Sequence, residues 1–208
     1  IQNAMIVAGL VTLLQLYSVG PCGGKVPIIM GTSSGFIGVF AGIVATLGSG
    51  VVAYGAIMGA SIIGGVFEAV LGLVLKHIRR FFPPVVCGTV VLGIIAGYIA
   101  AIFMGFVLPT TAVTPDGVEY TKSWVLHWDK VANASWFAVP QLMPVDIVFD
   151  MRAIMPVLIM FVVTAVETVG DISAVVESGL NREATDKELS GGVICDGIGS
   201  AIAAVFGV

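Results

Sequence analysis

Long apolar runs separated by short polar stretches dominate this chain. A transmembrane helix needs about 20 predominantly apolar residues. The runs fall at about Ala4–Val19, Val26–Leu47, Val51–Leu75, Val85–Leu108, Ile154–Val176 and Val193–Val208. The pattern therefore predicts an all-α polytopic membrane protein with six apolar segments, the last of them short.

The second run is interrupted in its first half. Pro27 and the small residues Gly31–Gly35 break the helical pattern. Irregular backbone survives at membrane depth only where protein buries it or where it lines a cavity. We therefore expect a short strand over Val26–Met30, followed by a half-helix that begins near Ser34. The N–H groups at the start of such a half-helix favour a polar or anionic ligand.

Two carboxylates lie inside the fifth run. Glu167 and Asp171 have the i, i+4 spacing that places both on one face of a helix, one turn apart. Each costs about 2.5–3.5 kcal/mol at the centre of a bilayer, so this face must look into protein or water. The lipid side is expected to be covered by Val162, Val163, Val166, Val169 and Ile172.

Two further acids, Glu68 and Asp196, occur in apolar runs. We expect Glu68 to face a helix contact or a cavity without touching a ligand. Asp196 lies near the predicted start of its segment, where it either caps a helix N-terminus or supports its neighbours. Thr32 and Ser33 lie in the interrupted segment, and hydroxyl side chains such as theirs often form hydrogen bonds with nearby backbone groups.

Composition narrows the function classes. Hydrophobic residues make up 58% of the chain and charged residues 11%, whereas about a quarter of the residues of a soluble domain are charged. A formal net charge of -4 offers no basic surface to nucleic acid. The three cysteines and two histidines are scattered, so we expect no disulfide framework, no metal site and no cofactor.

Basic residues predict the orientation in a plasma membrane. Six of them fall on one side if the intervening segments span, and the excess of positive charge marks that side as cytoplasmic. They are Lys25, Lys76, Arg79, Arg80, Arg182 and Lys187. The long connection Pro109–Asp150 then faces outward.

Four stretches, in the same order, resemble motifs of the nucleobase/ascorbate transporter family. Thr164–Asp171 is similar to the motif of its eighth helix, and Val26–Ser34 is similar to its third segment. Phe82–Val90 resembles the entry to the fifth segment, and Gly192–Ser200 resembles the ninth. The likeness extends over nearly the whole chain.

The resemblance implies inverted repeats of helices, with a core domain that carries substrate and a gate domain against which the core moves. Core segments are expected at residues 1–81, the second to fourth of the family, and at 151–208, the eighth and a truncated ninth. Residues 82–108 begin like the fifth segment and end like the seventh. They are therefore expected to form a shortened gate. Residues 109–150 form the external connection. The chain is thus expected to be an internal fragment.

The resemblance also implies a function, which is import of a purine nucleobase by symport through alternating access. Protons are the expected coupling ion, and Na+ is the alternative. By position, the family's substrate-binding residues fall at Glu167, Ser34 and Gly35. Asp171 corresponds to proton coupling, and Asp196 and Ser33 are supporting positions. Asp171 stands where pyrimidine-type members tend to have histidine, which favours xanthine or uric acid over uracil.

Other interpretations stay open on the residues alone. A uracil-type permease is one, and a non-transporting fragment whose carboxylates only tie helices together is another. An intramembrane aspartyl protease would need a Gly-x-Gly-Asp motif; Gly170 and Asp171 with Asp196 match part of it, but position 168 is Thr. Expected partners are the purine base, the lipid bilayer and, in a homodimer, a second copy of the chain, with no nucleic acid.

Overall fold

The architecture comes from a computed structural model. It describes residues 2–33, 35–48, 50–78 and 142–208, together with short pieces between 96 and 121. The chain divides into two compact units, one made of Ile1–Gly88 with Ala138–Val208 and the other of Thr89–Phe137. Most of the predicted gate segment, residues 82–108, lies outside the described residues.

The first unit is helical. Its helices are α1 (Gln2–Tyr17), α2 (Phe36–Leu47), α3 (Val51–Ile78), α4 (Met151–Leu180) and α5 (Asp186–Val205). Among the described residues, three helices are long and apolar enough to cross a membrane, over Val51–Leu75, Met151–Leu180 and Asp186–Val205. The all-α membrane fold predicted from the apolar runs is therefore confirmed.

The second unit contains one short antiparallel pair of strands. Strand β1 (Thr111–Val113) pairs with β2 (Glu119–Thr121), and Ala112 lies opposite Tyr120. The pair falls inside the connection predicted over residues 109–150.

Helix α2 is a half-helix, as the interrupted run predicts. Its 12 residues extend about 18 Å, against about 30 Å for the hydrocarbon core of a bilayer. The short strand expected over Val26–Met30 is wrong. The Ile28 N–H bonds the Val26 carbonyl at 2.8 Å, and the Met30 N–H bonds the Thr12 hydroxyl at 3.0 Å. These two N–H groups are therefore satisfied locally and by α1, not by a neighbouring strand.

Helix α5 begins earlier than the hydrophobic pattern indicates. The run was expected from Val193, but the helix starts at Asp186, because Thr185 and Glu188 form a capping box in which each side chain accepts from the other residue's backbone N–H. Arg182 also forms an ion pair with Glu188 at 2.6 Å. The interpretation of Asp196 as an N-cap is therefore wrong, since Asp196 lies in the middle of α5.

We predict that Thr185→Ala lowers the stability of the protein by about 1 kcal/mol, the usual effect of removing an N-cap side chain. The reason is that the Glu188 N–H loses its acceptor, the Thr185 hydroxyl. The melting temperature in detergent measures the effect. Thr185→Ser keeps the hydroxyl and should melt like the wild type; equal melting of the alanine variant would show that the cap contributes nothing.

Helix α4 begins at a second cap. The Asp150 carboxylate accepts from the Arg152 N–H at 2.8 Å and from the Arg152 side chain. The side-chain hydrogen bond from Arg152 lowers the pKa of Asp150. The start of α4 therefore lies at the last residue of the predicted external connection.

Close packing of α3 on α5 forms the centre of the first unit. A Cβ on Gly65 would lie 2.5 Å from the Gly197 carbonyl oxygen, so the two backbones meet with no room for a side chain. The expected lipid side of α4 is partly wrong. Val162 and Val163 are exposed, but Val169 and Ile172 are buried, because they pack in a core cluster with Val26, Leu75, Leu189 and Val193.

Candidate functional site

One face of α4 carries four polar side chains. Thr164, Glu167, Thr168 and Asp171 follow the i, i+3, i+4, i+7 spacing of a single helix face. Three of them bond three different elements, which are α3, the segment before α2, and α5. This face therefore links α4 by polar contacts to three other parts of the first unit.

Glu167 is joined to the start of the half-helix. The Ser33 hydroxyl donates to Glu167 Oε2 at 3.3 Å, and the Gly35 N–H donates to the Ser33 oxygen at 3.3 Å. Gly35 is the N-cap residue of α2, and a Cβ there would lie 2.3 Å from the Met160 side chain. The carboxylate and the N-terminus of the half-helix thus face the same point, although Ser34 lies outside the described residues.

Asp196 joins α5 to the same face. The Thr168 hydroxyl donates to Asp196 Oδ2 at 2.6 Å. Hydrogen bonds from a neutral donor to a carboxylate are stronger than those between neutral groups. This bond links α5 to the polar face of α4, and the supporting role of Asp196 stays a prediction.

Glu68 faces a contact between two helices, as expected for an acid in an apolar run. It lies in the middle of α3 and is completely buried, and its Oε1 accepts from the Thr164 hydroxyl at 3.1 Å. Its other oxygen, Oε2, has no hydrogen-bond partner among the described residues. The sequence signals such a residue only by the presence of an acid in an apolar run. Its partner cannot be predicted from local pattern, because Thr164 lies on another helix.

The carboxyl groups of this region influence each other. Glu68 experiences the charges of Asp196 and Glu167, and Asp171 experiences that of Glu167. Asp171 is partly exposed, and the described residues offer its side chain no hydrogen bond. We call Glu68, Glu167, Asp171 and Asp196 the carboxyl cluster.

No cation balances this cluster within the described part of the chain. The salt bridges found there are Asp150 with Arg152 and Arg182 with Glu188, both outside the cluster. The same residues contain no group of three or more side chains suited to a metal ion. The site can therefore accept hydrogen bonds from a ligand and can bind protons.

Comparison with known proteins identifies the family. A family model described as "Permease family" matches residues 1–94 and 88–208. The chain belongs to this permease family. The membership in the nucleobase/ascorbate transporters that the four motifs indicate is confirmed. The similar proteins are permeases and not enzymes.

Two named proteins similar to this chain carry the comparison further. A putative purine permease of Clostridium perfringens is 28% identical over 253 residues, which cover 100% of this chain and 53% of the relative. The xanthine permease of Escherichia coli K12 is 24% identical over 255 residues, 99% of this chain and 55% of the relative. The chain thus spans about half the length of the curated relatives that it matches. No solved structure matches it.

The two pieces of the chain that match the family model overlap at residues 88–94. The alignments are also longer than the chain of 208 residues, so the relatives carry residues that have no counterpart within it. The overlap falls in the segment 82–108, where the motifs predict that helices of the gate are absent. Most of that segment lies outside the described residues.

Proposed function

We propose that the full-length protein is a secondary active transporter that imports a purine nucleobase, xanthine or uric acid, by proton-coupled symport through alternating access. The observation that carries this proposal is the hydrogen-bonded chain from Gly35 through Ser33 to Glu167. It places an acceptor carboxylate beside the N-terminus of a half-helix, and the relatives named as purine and xanthine permeases support the substrate class.

The chemistry of the site suits a planar base with adjacent N–H and C=O groups. An ionised carboxylate offers acceptor oxygens to ring N–H groups, and backbone N–H groups at a helix start can donate to a ring carbonyl. In the structure, the Ser33 hydroxyl donates to Glu167 and accepts from the Gly35 N–H. An incoming base would exchange these two contacts for its own, with the backbone of Ser34 and Gly35 as donors.

Asp171 is proposed to take part in proton coupling. It is partly exposed, lies one turn from Glu167 and senses its charge. A carboxylate against lipid would be costly, so we propose that Asp171 meets water and exchanges a proton with it. Protons are therefore the proposed coupling ion in preference to Na+, and no cofactor is proposed.

The cellular setting is proposed from the same family membership. The chain is an integral membrane protein, and we propose the plasma membrane as its location. Residues 1–81 and 151–208 are proposed as core-domain segments, residues 82–108 as the gate and residues 109–150 as the external connection. A homodimer in the lipid bilayer is the proposed assembly.

Uptake by the full-length protein in cells that lack purine permeases tests this function. We predict saturable uptake of labelled xanthine that falls as the external pH rises, because fewer protons are available to enter with the substrate. Excess unlabelled xanthine or uric acid should compete well and uracil weakly. Cells with empty vector are the control. Equal competition by uracil would assign a pyrimidine-type permease, and absence of nucleobase uptake at every pH would contradict the proposal.

A further inference from the structure

Glu68 has a buried oxygen with no partner. The residue is 0% exposed, Thr164 satisfies Oε1, and nothing in the described part of the chain reaches Oε2. Burial of an ionised carboxylate that is neither paired nor fully hydrogen-bonded is very costly. A protonated carboxyl carries no net charge, and its own O–H becomes a donor. The unpartnered oxygen is thus the atom suited to hold a proton.

The groups around Glu68 are acidic, so a proton on Glu68 reduces the repulsion between them. Helix α4 contributes Thr164 and Glu167 to the surroundings of Glu68, and α5 contributes Asp196. The charge of Asp171 interacts with those of Glu167 and Asp196. Neighbouring carboxylates repel each other, and no cation lies in the cluster among the described residues. When one member takes a proton, the others can remain ionised.

We propose that Glu68 is the binding site of the transported proton, occupied when a base binds Glu167 and emptied before the base is released inside. This inference rests on the proposed function and deepens it, because it assigns the coupling ion to a residue outside the family motifs. One O–H bond forms at Glu68 Oε2, with a proton taken from external water, and the same bond breaks when the proton leaves to the cytoplasm. Asp171, one of the three partly exposed members of the carboxyl cluster, exchanges the proton with water.

The physical link between the proton and the substrate is the charge of Glu167. A base that donates N–H groups needs an ionised Glu167 as acceptor. If Glu68 is ionised, its charge favours protonation of Glu167 instead; if Glu68 is neutral, Glu167 keeps its charge. A proton on Glu68 therefore favours binding of the base, and by reciprocity the base favours the proton.

The test is the affinity of the purified full-length protein for labelled xanthine over a range of pH. In the wild type, the Kd should rise by up to about tenfold per pH unit once Glu68 loses its proton, as expected for one linked proton. Glu68→Gln imitates the protonated side chain. Its Kd should stay at the low-pH wild-type value at every pH, and a pH gradient across vesicles should no longer drive accumulation, while exchange of internal for external xanthine continues.

Matched variants separate this role from a structural one. Glu68→Asp keeps an acid and should keep a pH-dependent Kd. Asp171→Asn should slow uptake but leave the pH slope of the Kd intact, because it alters the exchange route and not the binding site of the proton. Glu177→Gln makes the same chemical change on an exposed part of α4 and should behave like the wild type.

Infrared spectroscopy provides a measurement independent of transport. The wild type should show the C=O stretching band of a protonated carboxyl in a dry environment, and Glu68→Gln should lose it. If the band is absent from the wild type, or if Glu68→Gln retains the pH slope of the Kd, the proton site is wrong. Na+-dependent binding with no pH dependence would also overturn it.

The outcomes keep the two proposals apart. If the wild type binds no purine, the proposed function fails, and the infrared band still decides whether Glu68 holds a proton. If the wild type binds xanthine and Glu167→Gln abolishes binding, while Glu68→Gln leaves the pH slope unchanged, only the proton site fails.

Discussion

Replacing Glu167 with glutamine is expected to abolish measurable binding of xanthine by the full-length protein. The amide has one acceptor oxygen and one donor group in place of two acceptor oxygens, so a ring N–H meets another N–H or a neutral oxygen. Loss of a hydrogen bond to a charged group and an unsatisfied donor in the site together cost about 3 kcal/mol, which is about a 100-fold loss of affinity.

This variant distinguishes a binding carboxylate from a polar contact between helices. Glutamine can still accept from the Ser33 hydroxyl, which now donates to Glu167 at 3.3 Å, so the link between α4 and the segment before α2 can be kept. The Kd and the melting temperature should be measured on the same preparations. Glu177→Gln is the control, with an identical chemical change in the same helix.

Two results would argue against a role of Glu167 in binding. One is an unchanged Kd in Glu167→Gln. The other is a loss of binding that accompanies an equal loss of folded protein, because the defect would then be structural. Ser33→Ala should reduce affinity less than Glu167→Gln does, since Ser33 orients the carboxylate and is displaced by the base.

Replacing Gly197 with valine is expected to prevent α3 and α5 from packing. A Cβ at this position would lie 2.4 Å from the Ala69 nitrogen and 2.5 Å from the Gly65 carbonyl oxygen. These are backbone atoms, which cannot move aside as the end of a flexible side chain can. Overpacking costs up to about 3 kcal/mol where a site can relax, and we expect a larger loss here because a whole helix must shift.

Folding of the Gly197→Val variant can be followed by size-exclusion chromatography in detergent and by thermal melting. We expect little monodisperse protein, with a melting temperature well below that of the wild type. Gly42→Ala in α2 is the control, because its Cβ would meet nothing within 4 Å. If Gly197→Val were as stable as the wild type, the close contact of α3 with α5 would be wrong.

The helices and one part of the site follow from local patterns in the sequence. Apolar runs predict α1, α3 and α4, because a membrane segment must hide its backbone polar groups within itself. Pro27 and the glycines after it predict that α2 is a half-helix, and the spacing of Glu167 and Asp171 predicts a shared face. Each of these inferences needs only residues within a few turns of one another.

Local patterns do not predict the start of a helix where polar residues before an apolar run belong to the same helix. Helix α5 begins at Asp186, in a stretch too polar to count as an apolar segment, because the capping box of Thr185 and Glu188 satisfies its first N–H groups. Hydropathy therefore placed the start of the helix too late in the chain. The interpretation of Asp196 as an N-cap was wrong for the same reason.

Packing between helices decided the rest. Glu167 meets Ser33, which is 134 positions away, and Glu68 meets Thr164, which is 96 positions away. Val169 and Ile172 are buried although periodicity alone favours the lipid side for both. The sequence shows which residues share a face of one helix. The helix that covers that face depends on close fit between backbones, as at Gly65 and Gly197, and such contacts form only after the chain has folded.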